Sequence, residues 1–133
     1  MEILPLRLKP GDDLRNALEA AATSRDGGAV FVLSGIGSLG DAKLRLAGAA
    51  ASETLAGPLE ILSLAGSLCA DGSHLHMSVA DATGRVTGGH VAYGCIVRTT
   101  AEILLALLAE WNFSREPDAT TGYKELVARR KTV

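Results

Sequence analysis

The chain has 133 residues, a length that suits one domain with a real core, and its 47% hydrophobic and 21% charged content is that of an ordinary folded protein rather than a disordered one. A formal net charge of −2 offers no basic excess for gripping phosphate backbones, although it does not exclude a local patch. Two cysteines, Cys69 and Cys95, make neither a CxxC pair nor a disulfide framework. The start lacks a basic segment followed by an apolar one, and the longest apolar run, Ile103 to Ala109, is far short of a membrane span. The expectation is a soluble cytoplasmic protein with free thiols.

Taken in order, Glu2 to Lys9 reads as a strand with Leu4, Leu6 and Leu8 on one side, broken by Pro10-Gly11. Asp12 is a fair N-cap for a helix carrying Leu14, Ala17, Leu18, Ala21 and Ala22 on one face, with Gly27-Gly28 ending it. Ala29 to Leu33 is a buried apolar strand. Next, Ser34-Gly35-Ile36-Gly37-Ser38-Leu39-Gly40 contains G-x-G-x-x-G directly after that strand. A dinucleotide site needs the last glycine to open a helix whose N-terminus holds the pyrophosphate. Here Lys43 and Arg45 alternate with Leu44 and Leu46, which is strand period, and Glu60 at the offset of a ribose-binding acid is a cheap coincidence. The favoured reading is a tight glycine connection between strands.

Ala47 to Ala56 reads as a strand end and loop, and Leu59 to Leu68 as a mostly apolar strand. Asp71-Gly72 turns into the stretch that holds every histidine of the chain. Leu75, Met77 and Val79 alternate with His74, His76 and Ser78, the period of a half-buried strand. Asp81-Ala82-Thr83-Gly84 has the residues of a type I turn followed by a left-handed glycine, the common three-residue hairpin loop. That loop pairs Asp81 with Arg85, sets His76 opposite His90 with Cβ atoms about 5 Å apart, and puts His74 on a diagonal within roughly 8 Å. A two- or four-residue loop sends His90 to the other face, and a bulge at Gly88-Gly89 would also change the register.

Three neutral imidazoles on one face suit a divalent transition metal. Zinc takes three histidine nitrogens at about 2.1 Å and leaves a fourth position open. The bland alternative is three unrelated histidines. The return strand is expected to continue through Cys95, Ile96 and Val97 to Arg98. Ala101 to Glu110 is ambiguous, since its Ala, Glu and Leu content favours a helix while its length fits either element. Trp111, Phe113 and Tyr123 lie in a polar region broken by Pro117 and Gly122. Glu125 to Lys131 reads as a final helical turn, with Arg129, Arg130 and Lys131 as a solvated charged tail.

Ser34-Gly35-Ile36-Gly37-Ser38, Gly57-Pro58-Leu59-Glu60-Ile61-Leu62-Ser63-Leu64-Ala65-Gly66-Ser67, His74-Leu75-His76, Gly88-Gly89-His90 and Phe113-Ser114-Arg115-Glu116-Pro117 together resemble the plants-and-prokaryotes-conserved (PPC) domain, from about residue 3 to 127. The resemblance implies an α/β fold of α+β type, a mainly antiparallel sheet flanked by helices, in a single domain over 1–133 that assembles as a homotrimer. It makes Ala101 to Glu110 a strand, overriding propensity. It also implies that His74, His76 and His90 are the metal ligands. Plant members carry basic Arg-Gly-Arg-Pro arms for the DNA minor groove, and bacterial relatives are labelled DNA-binding by that association; no Arg-Gly-Arg-Pro occurs here.

Two functional classes follow. The first is a trimeric binding module, DNA-binding or transcription-associated, whose metal is structural or ligand-sensing; a further alternative is a purely structural or partner-binding trimer whose histidines bind nothing. The second is a metal-dependent enzyme, a zinc enzyme of unassigned substrate, in which the ion activates water. The second also needs a general acid or base, and Asp71, Asp81, Glu60 and Glu102 are the candidates that spacing does not place. The module is favoured, with no catalytic residue assigned.

Overall fold

Alternating burial along long strands builds this molecule, seen in a computed structural model that describes residues 1–24 and 28–132. In chain order the elements are β1 (Glu2–Leu8), α1 (Leu14–Thr23), β2 (Val30–Leu39), β3 (Ala42–Arg45), β4 (Glu53–Leu55), β5 (Leu59–Cys69), β6 (Gly72–Ala80), β7 (Val86–Val91), β8 (Val97–Leu107), β9 (Trp111–Pro117) and β10 (Lys124–Arg130). The first eight strands form one sheet in the order β1-β8-β2-β5-β6-β7-β3-β4, and β9 and β10 form a separate two-stranded sheet. All neighbours run antiparallel.

On one face of the large sheet, Val30, Val32, Ile61, Leu64, Leu68, Ile103 and Leu105 meet Leu14, Leu18 and Ala22 of α1 in a common core. This is a mainly antiparallel α+β fold, with one helix among the described residues. Each fully buried leucine contributes roughly 1.5–3 kcal/mol from its removal from water. The opposite face stays largely open except where β9 and β10 fold back over it. There Phe113 packs edge-on against Phe31, with ring centroids 5.6 Å apart.

Several expectations need correction. The N-cap of α1 is Asp13, whose Oδ1 accepts from the Asn16 N–H at 3.0 Å; the Asp12 carboxylate accepts from the Lys9 N–H instead. The helix closes at a right-handed Ser24, and Gly27 of the expected stop lies outside the described residues. The glycine-rich segment is not a connection. It runs inside β2, hydrogen-bonded to β5 and β8, and Gly40 leads into β3 rather than a helix, so the dinucleotide reading has no helix N-terminus to use. The loop from Ala47 to Ala56 contains the short strand β4.

The return strand of the histidine hairpin stops at Val91. Residues 93–94 turn the chain, and Val97 begins a different strand, β8, that pairs with both β1 and β2. That double pairing explains why Ala101 to Leu107 is extended despite helix-forming residues: a helix there would strip partners from two strands, against a propensity preference under about 1 kcal/mol per residue. The C-terminal helical turn is also wrong. Glu125 to Arg130 belongs to β10, which pairs with β9 across the intervening turn; the charged tail is solvent-exposed as expected, with Arg129 also paired to Glu116 and Arg130 to Glu110.

Asp13 also accepts from the Gly94 N–H through Oδ2 at 2.7 Å, so one carboxylate ties the start of α1 to the turn before β8. Asp13→Ala is expected to cost about 2 kcal/mol, a cap plus a second charge-assisted bond, read as a lower urea midpoint with an unchanged slope. An effect near zero would mean that neither bond forms in solution.

The hydrogen bonds from Arg129 and Ser114, and the nearby guanidinium charge, pull the Glu116 carboxyl down to about 2. A folded-state value below the unfolded one contributes stability above the ordinary carboxylate range, and that contribution is lost as pH falls toward about 2. A carbon-detected titration of Glu116 is expected to show this depression, and Arg129→Met to return it toward the ordinary range. An ordinary midpoint in the unmodified protein would contradict the pairing.

Candidate metal centre

The hairpin loop decides where the histidines go. The Gly84 N–H donates to the Asp81 carbonyl at 3.0 Å, the Asp81 N–H donates to the Arg85 carbonyl at 2.9 Å, and Gly84 is left-handed at φ +84°. Asp81 Oδ1 accepts from the Thr83 N–H, the Thr83 hydroxyl and the Arg85 N–H. The Thr83 hydrogen bonds, foremost among these, hold the Asp81 carboxyl below its ordinary value. This is the expected three-residue loop, and it sets the register. Val79 pairs with Thr87 and His76 with His90, with no shift at Gly88 or Gly89. His74 and His76 stand two residues apart on β6, so their side chains share a face with His90.

The three rings meet. His76 Nε2 lies 3.1 Å from His74 Nε2 and 3.1 Å from His90 Nδ1. One nitrogen from each ring falls within 4.8 Å of the others, and no other such cluster occurs among the described residues. The His76 ring stands nearly perpendicular to both neighbours, at 85° and 88°, while His74 and His90 lie within 16° of parallel, 5.4 Å apart. His74 and His76 are exposed and His90 half-buried. Burial, then neighbouring positive charge, lowers both His74 and His90 from the ordinary imidazole range, so the neutral, ligating form is favoured.

Chemically, the donor set fits a metal ion. A ring nitrogen carries either one proton or one lone pair, so His76 Nε2 makes one full hydrogen bond and serves both neighbours only by sharing it. A cation among the rings engages all three lone pairs together. Ligands of a tetrahedral zinc ion at about 2.1 Å stand about 3.4 Å from one another, close to the two 3.1 Å separations that His76 makes with His74 and His90.

The four acidic candidates are scattered. Asp81 is used in its turn, and Glu60 and Glu102 line other hollows of the surface. Asp71 alone reaches the hollow beside His74 and His90, where its Oδ2 accepts from the Arg115 N–H at 3.0 Å. The sequence reading missed the cationic surroundings. Arg45 sits opposite His90 across β3 and β7, and Arg115 arrives from β9. It also missed a polar knot at the rim, where Glu19 accepts from Arg15 Nε at 3.0 Å, the Ser73 hydroxyl at 2.6 Å and the Tyr93 hydroxyl at 2.9 Å. Burial works against the Glu19 carboxylate, but these hydrogen bonds outweigh it and hold the group below its ordinary value. Strand period had placed Arg45 on a strand, and Arg115 lies inside the Phe113 to Pro117 motif, but neither signal joins them to the histidines.

The family model of the Plants and Prokaryotes Conserved (PCC) domain matches residues 1–109, a span that includes all three histidines and every strand of the large sheet. The chain belongs to this family.

Among solved structures similar to this PCC chain, a hypothetical protein from Salmonella enterica superposes with a TM-score of 0.95 at 39% identity, covering 98% of this chain and 95% of that one. A metal-containing protein from Archaeoglobus fulgidus superposes with a TM-score of 0.81 at 25% identity, covering 96% of this chain and 94% of the other. Over 126 residues the chain is 54% identical to the bifunctional protein GlmU of a Synechococcus strain, covering 95% of this chain. It spans only about 20% of the length of the curated relatives it matches.

Proposed function

We propose that this PCC chain is a homotrimeric binding module, one unit over residues 1–133, in which His74, His76 and His90 hold a divalent transition metal, zinc by preference. One observation carries the metal reading: His76 Nε2 stands 3.1 Å from a ring nitrogen of each neighbour, a convergence that hydrogen bonding alone satisfies poorly. The superposition on an archaeal protein described as metal-containing supports it. The chain's own residues orient the ligands through the hairpin register, and the bound ion would supply a Lewis-acid position for a further ligand.

The trimer is supported by apolar side chains on the sheet face turned away from α1. Leu33, Ile36 and Leu62 are each more than half exposed, at 52%, 53% and 51%, and lie on the adjacent strands β2 and β5. Apolar groups exposed on one sheet face fit a contact with further copies of the chain. A binding role is favoured over an enzyme because Asp71, the one of the four sequence candidates that lies beside the histidines, already accepts a backbone hydrogen bond from Arg115. A cytoplasmic setting fits the two buried, unpaired thiols.

Metal analysis of protein purified without a histidine tag tests the centre, with about one ion per chain expected and a content far below that contradicting it. Sedimentation equilibrium tests the assembly; a stable monomer at micromolar concentration would refute it. DNA association is the weaker part of the reading, since the sequence holds no Arg-Gly-Arg-Pro arm. Titration of unrelated duplexes at two salt concentrations is expected to give no binding, or weak binding that falls steeply with salt. Tight, salt-insensitive binding to one sequence would replace this view with direct recognition.

A further inference from the structure

Unneutralised positive charge surrounds the histidines, and metal binding alone does not call for it. A hollow of about 540 Å³ opens beside His74 and His90. Arg45, Arg115 and Lys124 line it, and none of them has a carboxylate within ion-pair distance among the described residues. Among the described residues the Arg45 guanidinium makes one hydrogen bond, to the Ala49 carbonyl at 3.1 Å. Arg115 is fixed by its Nη2, which donates to the hydroxyl of the buried Ser67 at 2.7 Å. Arg15, also on the wall, is neutralised by Glu19 at 3.0 Å. Asp71 and Glu125 are the carboxylates of the lining, and the balance around the hollow stays positive. A divalent ion on the histidines would add two more positive charges.

The geometry points to a small-oxyanion site: the hollow takes a molecule of metabolite size bearing a carboxylate or phosphate, gripped by Arg45 and Arg115 next to the histidine-held ion. The volume lies in the range of small-molecule pockets, roughly 300–1,000 Å³. Guanidinium groups present paired donors that match the flat edge of a carboxylate or two phosphate oxygens, and a half-buried guanidinium with spare donors gains most from such a partner. A cationic ligand would be repelled, and a neutral oxygen would accept weaker hydrogen bonds than an oxyanion. The inference deepens the metal reading and rests on it for the ion's share of the grip, but the arginines act on their own account.

The test uses the full chain without a tag, zinc-loaded and zinc-stripped, titrated calorimetrically with inorganic phosphate and with succinate. At least one anion is expected to bind the loaded protein at millimolar concentration or below. Arg45→Gln is expected to weaken that binding about tenfold or more, while the zinc content stays at that of the unmodified protein. Arg115→Lys, which keeps the charge but loses the fork, should weaken it less. The stripped protein should bind more weakly, still in an Arg45-dependent way. No binding by the loaded protein up to tens of millimolar of either anion, or an affinity indifferent to both substitutions, would overturn the site. Failure of the metal alone would show as no zinc taken up by protein that still binds the anion in an Arg45-dependent way; failure of the anion site alone, as stoichiometric zinc with no anion bound.

Discussion

Replacing His76 with alanine is expected to reduce zinc affinity by at least about a hundredfold, beyond what loss of a supporting hydrogen bond around a metal ligand costs. His76 is the central ring of the cluster, with a nitrogen 3.1 Å from each of its neighbours. Its removal leaves His74 and His90 as a two-ligand remnant. The fold should be little affected. The side chain is exposed on the open face of the sheet, whereas Leu75 and Met77 on either side of it face the core. An exposed substitution of this kind shifts the stability of the metal-free protein by no more than about 0.5 kcal/mol. Competition against a chromophoric chelator reads the affinity, and urea unfolding of the stripped protein reads the fold. Unchanged affinity would place any bound metal elsewhere on the molecule.

The second large effect is expected at Gly66. This residue sits in the middle of β5, opposite Leu75 of β6, with φ +149°. A Cβ there would come within 2.0 Å of the His74 carbonyl oxygen and 2.8 Å of the Leu75 Cα. Both obstacles are backbone, so no side-chain rotation relieves them, and β6 would have to move. Gly66→Ala is therefore expected to cost about 3 kcal/mol or more, combining a strained backbone with overpacking. The displaced strand carries His74 and His76, whose partners on β5 are Ser67 and Ala65, while His90 stays on β7. Zinc affinity should fall along with stability. A variant as stable as the unmodified protein would show that β5 and β6 lie farther apart in solution than this pairing requires.

The two halves of the site differ in how far they could be read from the residues. The histidine cluster was legible because its geometry is local. Asp81 and Gly84 specify the loop, the loop specifies the register, and period-two alternation does the rest. The cationic wall was not, because Arg45 and Arg115 come from strands far apart in sequence and meet the hairpin only through the sheet order and the fold-back of β9. The same distinction explains the errors in the elements. Lys124 to Arg130 contains good helix formers, but its partner strand β9 supplies a ladder that a seven-residue helix could not match. In Ala101 to Leu107, residues favouring helix yield to β1 and β2 on either side. Where local chemistry and tertiary pairing agree, as in β5 and α1, the reading from residues was close; α1 was displaced at its start only because adjacent aspartates compete for the cap.

A loop of fixed length brings three imidazoles together, and the proposal that they share one ion rests on that convergence. Its most direct test is anomalous scattering at the zinc edge from crystals of tag-free protein grown with zinc. One strong peak per chain is expected, about 2.1 Å from His74 Nε2, His76 Nε2 and His90 Nδ1. No peak at the hairpin, or a peak bound by other residues with the three rings turned apart, would contradict it.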